Sequence, residues 1–158
     1  MHHVYHKDEF VITTDRAALD VDLIHSFLVR SYWARGVPRE LVERSIENSL
    51  CFGLFEGDRQ IGFARLVTDL THMAHLCDVF VLESHQDRGL GRWLMECVLA
   101  CPLLEGMRTI SLATADAHDF YLGLGFSQSV RPENQMQLLK DRDWFEPESS
   151  DPDEPEPE

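Results

Sequence analysis

The sequence predicts a mixed α/β fold, a largely antiparallel central sheet flanked by helices with one parallel strand pair. Three observations carry this prediction. Leu50–Phe55 and Gln60–Thr68 are rich in strand formers and are joined by Glu56-Gly57-Asp58-Arg59, the pattern of a β-hairpin. An apolar strand, Leu76–Leu82, enters a polar turn, Gln86-Asp87-Arg88-Gly89-Leu90-Gly91, that opens a helix. A helix then crosses over to a strand at Arg108–Thr114, which must run parallel to the one before the helix.

Taken in order, Glu9–Thr13 carries Phe10, Val11 and Ile12 and reads as the first strand, preceded by a loose, histidine-bearing end rather than a metal site. Asp20 is a plausible N-cap for a helix with Leu23, Ile24, Phe27 and Leu28 at helical spacing, running to about Ser31. An aromatic connector, Tyr32-Trp33-Ala34-Arg35-Gly36-Val37, leads to a second helix started by Pro38, with Leu41, Val42, Ser45 and Ile46 facing inward. The Leu76–Leu82 strand is apolar at both parities, so it is expected in the middle of the sheet with both faces covered. Leu90, Trp93, Leu94, Cys97, Val98 and Cys101 form an i, i+3, i+4, i+7, i+8, i+11 series that Pro102 ends. Asp116 is the expected cap of a short helix bearing Ala117, Phe120, Tyr121 and Leu124, and Phe126–Val130 with Gln135–Leu139 is expected as a closing strand pair.

The totals bound the function. At 158 residues, with 44% hydrophobic residues, nine Phe and three Trp, the chain can bury a core, and residues 1–140 are expected to form one domain. Residues 141–158 hold nine acidic side chains against Arg142, a net of −8 out of −14, and four of the seven prolines. Such a tail buries too little apolar area to offset its ordering entropy, so it is expected to be mobile. No basic stripe exists to replace counterions, which argues against nucleic acid as a partner. Without a run approaching the ~20 apolar residues of a membrane span, and with a polar N-terminus, the chain reads as soluble and cytoplasmic, with no membrane partner. Cys51, Cys77, Cys97 and Cys101 sit in apolar settings and read as buried free thiols; no metal site is expected.

The glycine turn is where chemistry enters. A strand feeding a glycine-bearing turn and a helix aims free backbone N–H groups and the positive end of the helix dipole at one point, which suits a phosphate or pyrophosphate. Gln86-x-x-Gly89-x-Gly91 and Ala117-x-x-x-Tyr121-x-x-x-Gly125-Phe126 occur in order, on a strand-to-helix turn and on a later helix. In this the chain resembles the GCN5-related N-acetyltransferase superfamily, whose acyl-CoA signature is Gln/Arg-x-x-Gly-x-Gly/Ala. The resemblance covers Leu76–Phe126 closely and the rest in its order of elements. A Rossmann dinucleotide site competes less well, since Gly-x-Gly-x-x-Gly is absent and the preceding hairpin is antiparallel.

The resemblance implies acetyl-CoA as co-substrate, with its pyrophosphate on the N–H groups from Arg88 through Arg92. Gln86, Gly89 and Gly91 shape that turn, and Arg88 and Arg92 add positive charge. It also implies that the pantetheine arm pairs with the backbone near Phe80 and Val81, where two parallel strands splay apart. Thr114 stands where many relatives carry an asparagine that contacts the pantetheine. Tyr121 matches the family's general acid, a phenol that can protonate the departing thiolate. For the base, Asp78 is the candidate read from the residues, because a carboxylate in a central strand is costly unless paired or used; an ion pair with Arg65 is the alternative, and His75 is the second candidate. Cys77 has no neighbouring pattern that marks it as an activated nucleophile.

The expected reaction is direct, sequential transfer of the acetyl group to a primary amine, small-molecule or peptide. Transfer of a longer acyl group, or a non-catalytic coenzyme A-binding regulatory or interaction module, is the alternative. Tyr32, Trp33, Arg35 and the Arg65–Asp69 segment are candidates for acceptor contact, since in the superfamily the first two helices and the late strands shape that pocket. Oligomeric state is left open, with a homodimer in view because dimers are common among similar proteins.

Overall fold

The computed structural model describes residues 1–140 and Trp144. Its elements, in order, are β1 (Val4–Lys7), β2 (Phe10–Thr13), α1 (Val21–Leu28), α2 (Arg39–Glu47), β3 (Leu50–Glu56), β4 (Arg59–Thr68), β5 (Met73–Val81), α3 (Leu90–Leu99), β6 (Thr109–Ser111) and α4 (His118–Leu122). The six strands lie in chain order in one sheet, antiparallel from β1 to β5, with β5 and β6 parallel.

The two faces of the sheet are covered differently. One buries Ile12, Phe52, Leu54, Ile61, Ala64, Leu66 and Leu76 against Leu90, Leu94, Met95 and Val98 of α3. The other buries Cys51, Phe63 and Phe80 against Ile24 and Leu28 of α1 and Val42 and Ile46 of α2. The apolar series predicted for α3 is therefore its sheet-facing stripe. Asp20 caps α1 as predicted, its carboxylate accepting from the Leu23 N–H at 3.1 Å. Trp144 packs against the α1–α2 cluster, its carbonyl 3.5 Å from where a Cβ on Gly36 would lie. The rest of 141–158, expected as a mobile tail, lies outside the described residues.

Four expectations are corrected. The N-terminus is not loose: Val4–Lys7 turns back through Asp8, at φ 53°, onto Phe10–Thr13, and the Thr14 hydroxyl accepts from the His3 N–H at 2.9 Å. Asp116 does not cap α4. The Thr114 hydroxyl accepts from the Ala117 N–H at 3.1 Å instead. The strand expected over Arg108–Thr114 shortens to Thr109–Ser111. The closing strand pair does not form. Pro132, which lacks an N–H to give a ladder, opens a 3-10 turn over Pro132–Asn134, and Val130, Met136, Leu138 and Leu139 stay exposed.

Cys51, Cys97 and Cys101 are buried and Cys77 is half-buried, all four as free thiols. No helix among the described residues is long and apolar enough to cross a membrane.

Leu94 is fully buried between α3 and the sheet, so Leu94→Ala should cost about 3 kcal/mol of unfolding free energy, through lost transfer energy and the cavity left behind. Urea denaturation followed by circular dichroism measures it.

Candidate functional site

The site is built on a mismatch in strand pairing. β5 pairs with β4 as far as Val81, through Gly62, but with β6 only over Met73–His75, because β6 ends at Ser111. From Leu76 onward β5 has no β6 partner, so a gap opens between the two parallel strands. At His75, the last paired position, the imidazole Nδ1 lies 3.0 Å from the Ser111 hydroxyl.

Past the end of β5, Gln86 donates its side-chain amide to the Val81 carbonyl at 2.9 Å, which fixes the turn to the strand. Asp87 and Gly89 both have positive φ, 62° and 75°, and Gly89 caps α3 without a side-chain hydrogen bond. Beyond its chain neighbours, nothing lies within 4 Å of a Cβ built on Gly89, so the space beside this residue, at the start of α3, is open. A Cβ on Gly91 would sit 3.8 Å from Val81 Cγ2 and 4.0 Å from Phe120 Cζ, which shows how closely the turn, the end of β5 and α4 converge. A helix start of this kind, with N–H groups free of helical partners, suits an anionic group.

The two arginines of the turn are held by partners within the chain. Arg88 lies over the Phe10 ring, 5.4 Å from its centroid, and 4.0 Å from Glu9; Arg92 pairs with Glu96 at 3.0 Å. Beneath the turn, buried His85 lies 2.7 Å from the Ser84 hydroxyl and 3.2 Å from Glu56 at the end of β3. Sequence reasoning missed His85: within Glu83–Arg88 it looks like one more solvated residue, and only the packing of β3 distinguishes it.

On α4, Tyr121 is half-buried, edge-on to Phe120 and Phe126 with ring centroids 5.0 and 5.6 Å away. Burial, then neighbouring Tyr32 and Asp116, push its phenol from 10.0 up to about 12, so it stays protonated. Thr114, in the turn before α4, already accepts one hydrogen bond, from the Ala117 N–H.

Asp78 sits inside β5 at φ 55°, where the β4–β5 register shifts. Its carboxylate has a donor on each oxygen: Trp33 Nε1 at 2.9 Å and Arg65 Nε at 2.8 Å. The ion pair with Arg65 read from the adjacent strands is thus present, and Trp33 completes it. Next to it, burial pushes the Cys77 thiol up to about 11, the protonated form and not a ready nucleophile. Phe80 is buried in a stack on Phe27, centroids 3.9 Å apart.

Gln86 and Gly91 thus meet the end of β5 at Val81, Gly91 also faces α4 at Phe120, and Arg88 and Arg92 flank the turn. A cleft of about 440 Å³ at the start of β3 and the end of β4 contains none of these residues. No cluster of three His, Cys, Asp or Glu side chains among the described residues could hold a metal ion.

The model of the acetyltransferase (GNAT) domain matches residues 47–128, more than half of the sequence. The chain belongs to the GNAT family. A GNAT-family protein of known structure from Xanthomonas campestris pv. campestris is 42% identical and superposes with a TM-score of 0.80, over 87% of this chain and 94% of that one. Protein FG08082 of Gibberella zeae, assigned as an acetyltransferase, is 29% identical over 143 residues, 75% of this chain and 80% of its own. A GNAT acetyltransferase from Elizabethkingia anophelis, solved with acetyl-CoA bound, shares the fold at 17% identity and a TM-score of 0.57, over 75% of this chain and 74% of that one. The matched GNAT segment runs from the end of α2 to just past α4, and so contains the gap, the glycine turn and Tyr121.

Two stability consequences follow from this GNAT site. The Arg65 and Asp78 side chains are only 16% and 10% exposed, so Asp78→Ala should cost about 3 kcal/mol by leaving a buried guanidinium unpaired, read by urea denaturation. Because the folded state holds the Tyr121 proton to higher pH than the unfolded chain, that contribution is complete below about pH 10 and is lost as pH rises toward 12. Wild-type stability should therefore fall more steeply than that of Tyr121→Phe between pH 9 and about 11, in denaturant titrations at each pH.

Proposed function

We propose that this chain transfers the acetyl group of acetyl-CoA to a primary amine by direct attack, with Tyr121 as the general acid. The observation that carries the reading is the edge that β6 leaves open on β5 after His75, with the Gly89 turn beyond its end and α4, the helix of the protonated Tyr121 phenol, meeting that turn where Phe120 faces Gly91. The family membership and the acetyl-CoA held by the Elizabethkingia relative support it.

Acetyl-CoA supplies an activated thioester carbonyl, and the residues of the chain do the rest. The N–H groups at the start of α3 and the open space over Gly89 suit two phosphate groups, with Gln86 holding the turn against β5. The unpaired edge of β5 near Phe80 and Val81 offers backbone N–H groups to an extended arm and to the oxygen that gains charge during attack. Thr114, Arg88 and Arg92 border the same path. Tyr121, a phenol protonated at neutral pH and held so to higher pH by burial, gives its proton to the departing sulfur.

Asp78 takes a positioning role in this reading, since both oxygens already accept hydrogen bonds from Trp33 and Arg65. The amine then sheds its proton to water or to His75, which lies beside the opening of the gap. The reaction belongs in the cytoplasm, in keeping with the four free thiols.

Calorimetric titration with acetyl-CoA, with coenzyme A as the comparison, should show one saturable site per chain, and Gly89→Val should abolish it. No heat at millimolar acetyl-CoA would overturn the reading. In a screen of primary amines, Tyr121→Phe should lower kcat about 10²-fold while leaving coenzyme A affinity unchanged. An unchanged kcat would remove the assigned acid.

A further inference from the structure

The connector between α1 and α2 touches both sides of the gap. On one side Trp33 Nε1 donates to Asp78 Oδ1 at 2.9 Å, inside β5. Behind Asp78, Arg65 donates to Oδ2 at 2.8 Å and to the Ser49 hydroxyl at 3.0 Å, which ties the contact to β4 and to the start of β3. On the other side the Tyr32 hydroxyl accepts from the Ala115 N–H at 3.2 Å, in the loop between β6 and α4. The Tyr32 and Trp33 rings meet edge to face with centroids 5.1 Å apart, so movement at one contact is passed to the other. Phe27, stacked on Phe80, also lies 6.3 Å from Trp33 and braces the connector against β5.

Neither contact resembles ordinary core filling. Tyr32 is 37% exposed, yet its hydroxyl reaches a backbone donor 83 residues away. The indole N–H joins a carboxylate that is already ion-paired and almost buried, a charge-assisted bond in a poorly solvated place. It is the polar atoms, more than the rings, that connect the two sides.

We propose that Tyr32 and Trp33 form a clamp that fixes the width of the β5–β6 gap and thereby positions the thioester-bearing arm of acetyl-CoA. Both are positioning residues. The proposal rests on the acetyl-CoA reading above and adds to it what holds the gap at its working width. Asp78 then has a reason for its left-handed backbone: the bulge turns its carboxylate to where Arg65 and the connector both reach it.

The test uses substitutions that keep a ring and remove a polar atom, Tyr32→Phe and Trp33→Phe, with folding checked by circular dichroism. Affinity for acetyl-CoA is measured by calorimetry. Affinity for adenosine 3′,5′-bisphosphate, which has nucleotide phosphates and no thioester arm, is measured by competition with it. Each variant should bind acetyl-CoA about tenfold more weakly and the bisphosphate within about twofold of wild type.

Unchanged acetyl-CoA binding in both variants overturns the clamp, and so does an equal loss of both ligands in folded protein. A bisphosphate that fails to compete in wild type overturns the division of the cofactor between turn and gap that the clamp assumes. Absence of acetyl-CoA binding to wild type removes the functional reading itself, and the clamp with it. If Trp33→Phe does not fold, Tyr32→Phe, altered at a partly exposed hydroxyl, decides alone.

Discussion

Everything at the functional end of this molecule depends on where one parallel strand pair stops. Parallel pairing needs evenly spaced, slanted hydrogen bonds, and three residues of β6 sustain it only as far as His75 and Ser111. β5 continues for six residues, supported by β4 alone. A strand with one satisfied edge and one open edge, sheltered by helices on both faces, is a place where backbone donors stay available without the sheet coming apart. The open edge also bends: a residue at φ 55° forces a local change of register, and the side chain there is one that tolerates that backbone. Local strain is offset by two hydrogen bonds to its carboxylate.

The secure parts of the fold were those set by local pattern. The 3.6-residue apolar series beginning at Leu90, the Gly57-Asp58 hairpin and the Asp20 cap each depend on a few neighbouring residues, and each stands where expected. β1 escaped notice because Val4-Tyr5-His6-Lys7 exposes most of its surface at the sheet edge, so burial imposes no clear alternation on it. Strand-forming residues in Phe126–Val130 and Gln135–Leu139 had no edge to join once β6 ended so soon, and propensity without a partner does not make a strand. Asp116 does not cap α4 because the helix starts two residues after it, at His118, with Ala117 as the cap position; the Thr114 hydroxyl takes the Ala117 N–H in the turn before the helix.

The candidate site divides along the same line. Gln86, Gly89, Gly91 and Tyr121 could be named because they fall in two short motifs that resemble those of the GNAT superfamily, one on a turn and one on a helix. The pairing of Asp78 was half legible: Arg65 lies on the neighbouring strand, whereas Trp33 comes from a connector 45 residues away whose path no local rule fixes. Chemistry sorts the rest. Burial raises both Cys77 and Tyr121: the thiol, kept protonated, is poor as a nucleophile, and the phenol keeps its proton across the neutral range.

The engagement of Arg88 with Glu9 and of Arg92 with Glu96 has a kinetic consequence. A ligand carrying several phosphate charges would meet a chain of formal net charge −14, and the two cations nearest the turn each have a carboxylate beside them. Encounter is therefore slowed by the long-range field even though the docking point itself is hospitable to anions. Moderate ionic strength screens the repulsion over a distance of about 8 to 10 Å while leaving the short-range amide contacts intact. Phosphate-bearing ligands should then arrive faster in saline than in dilute buffer, the reverse of the behaviour of proteins that draw such ligands in with a basic surface.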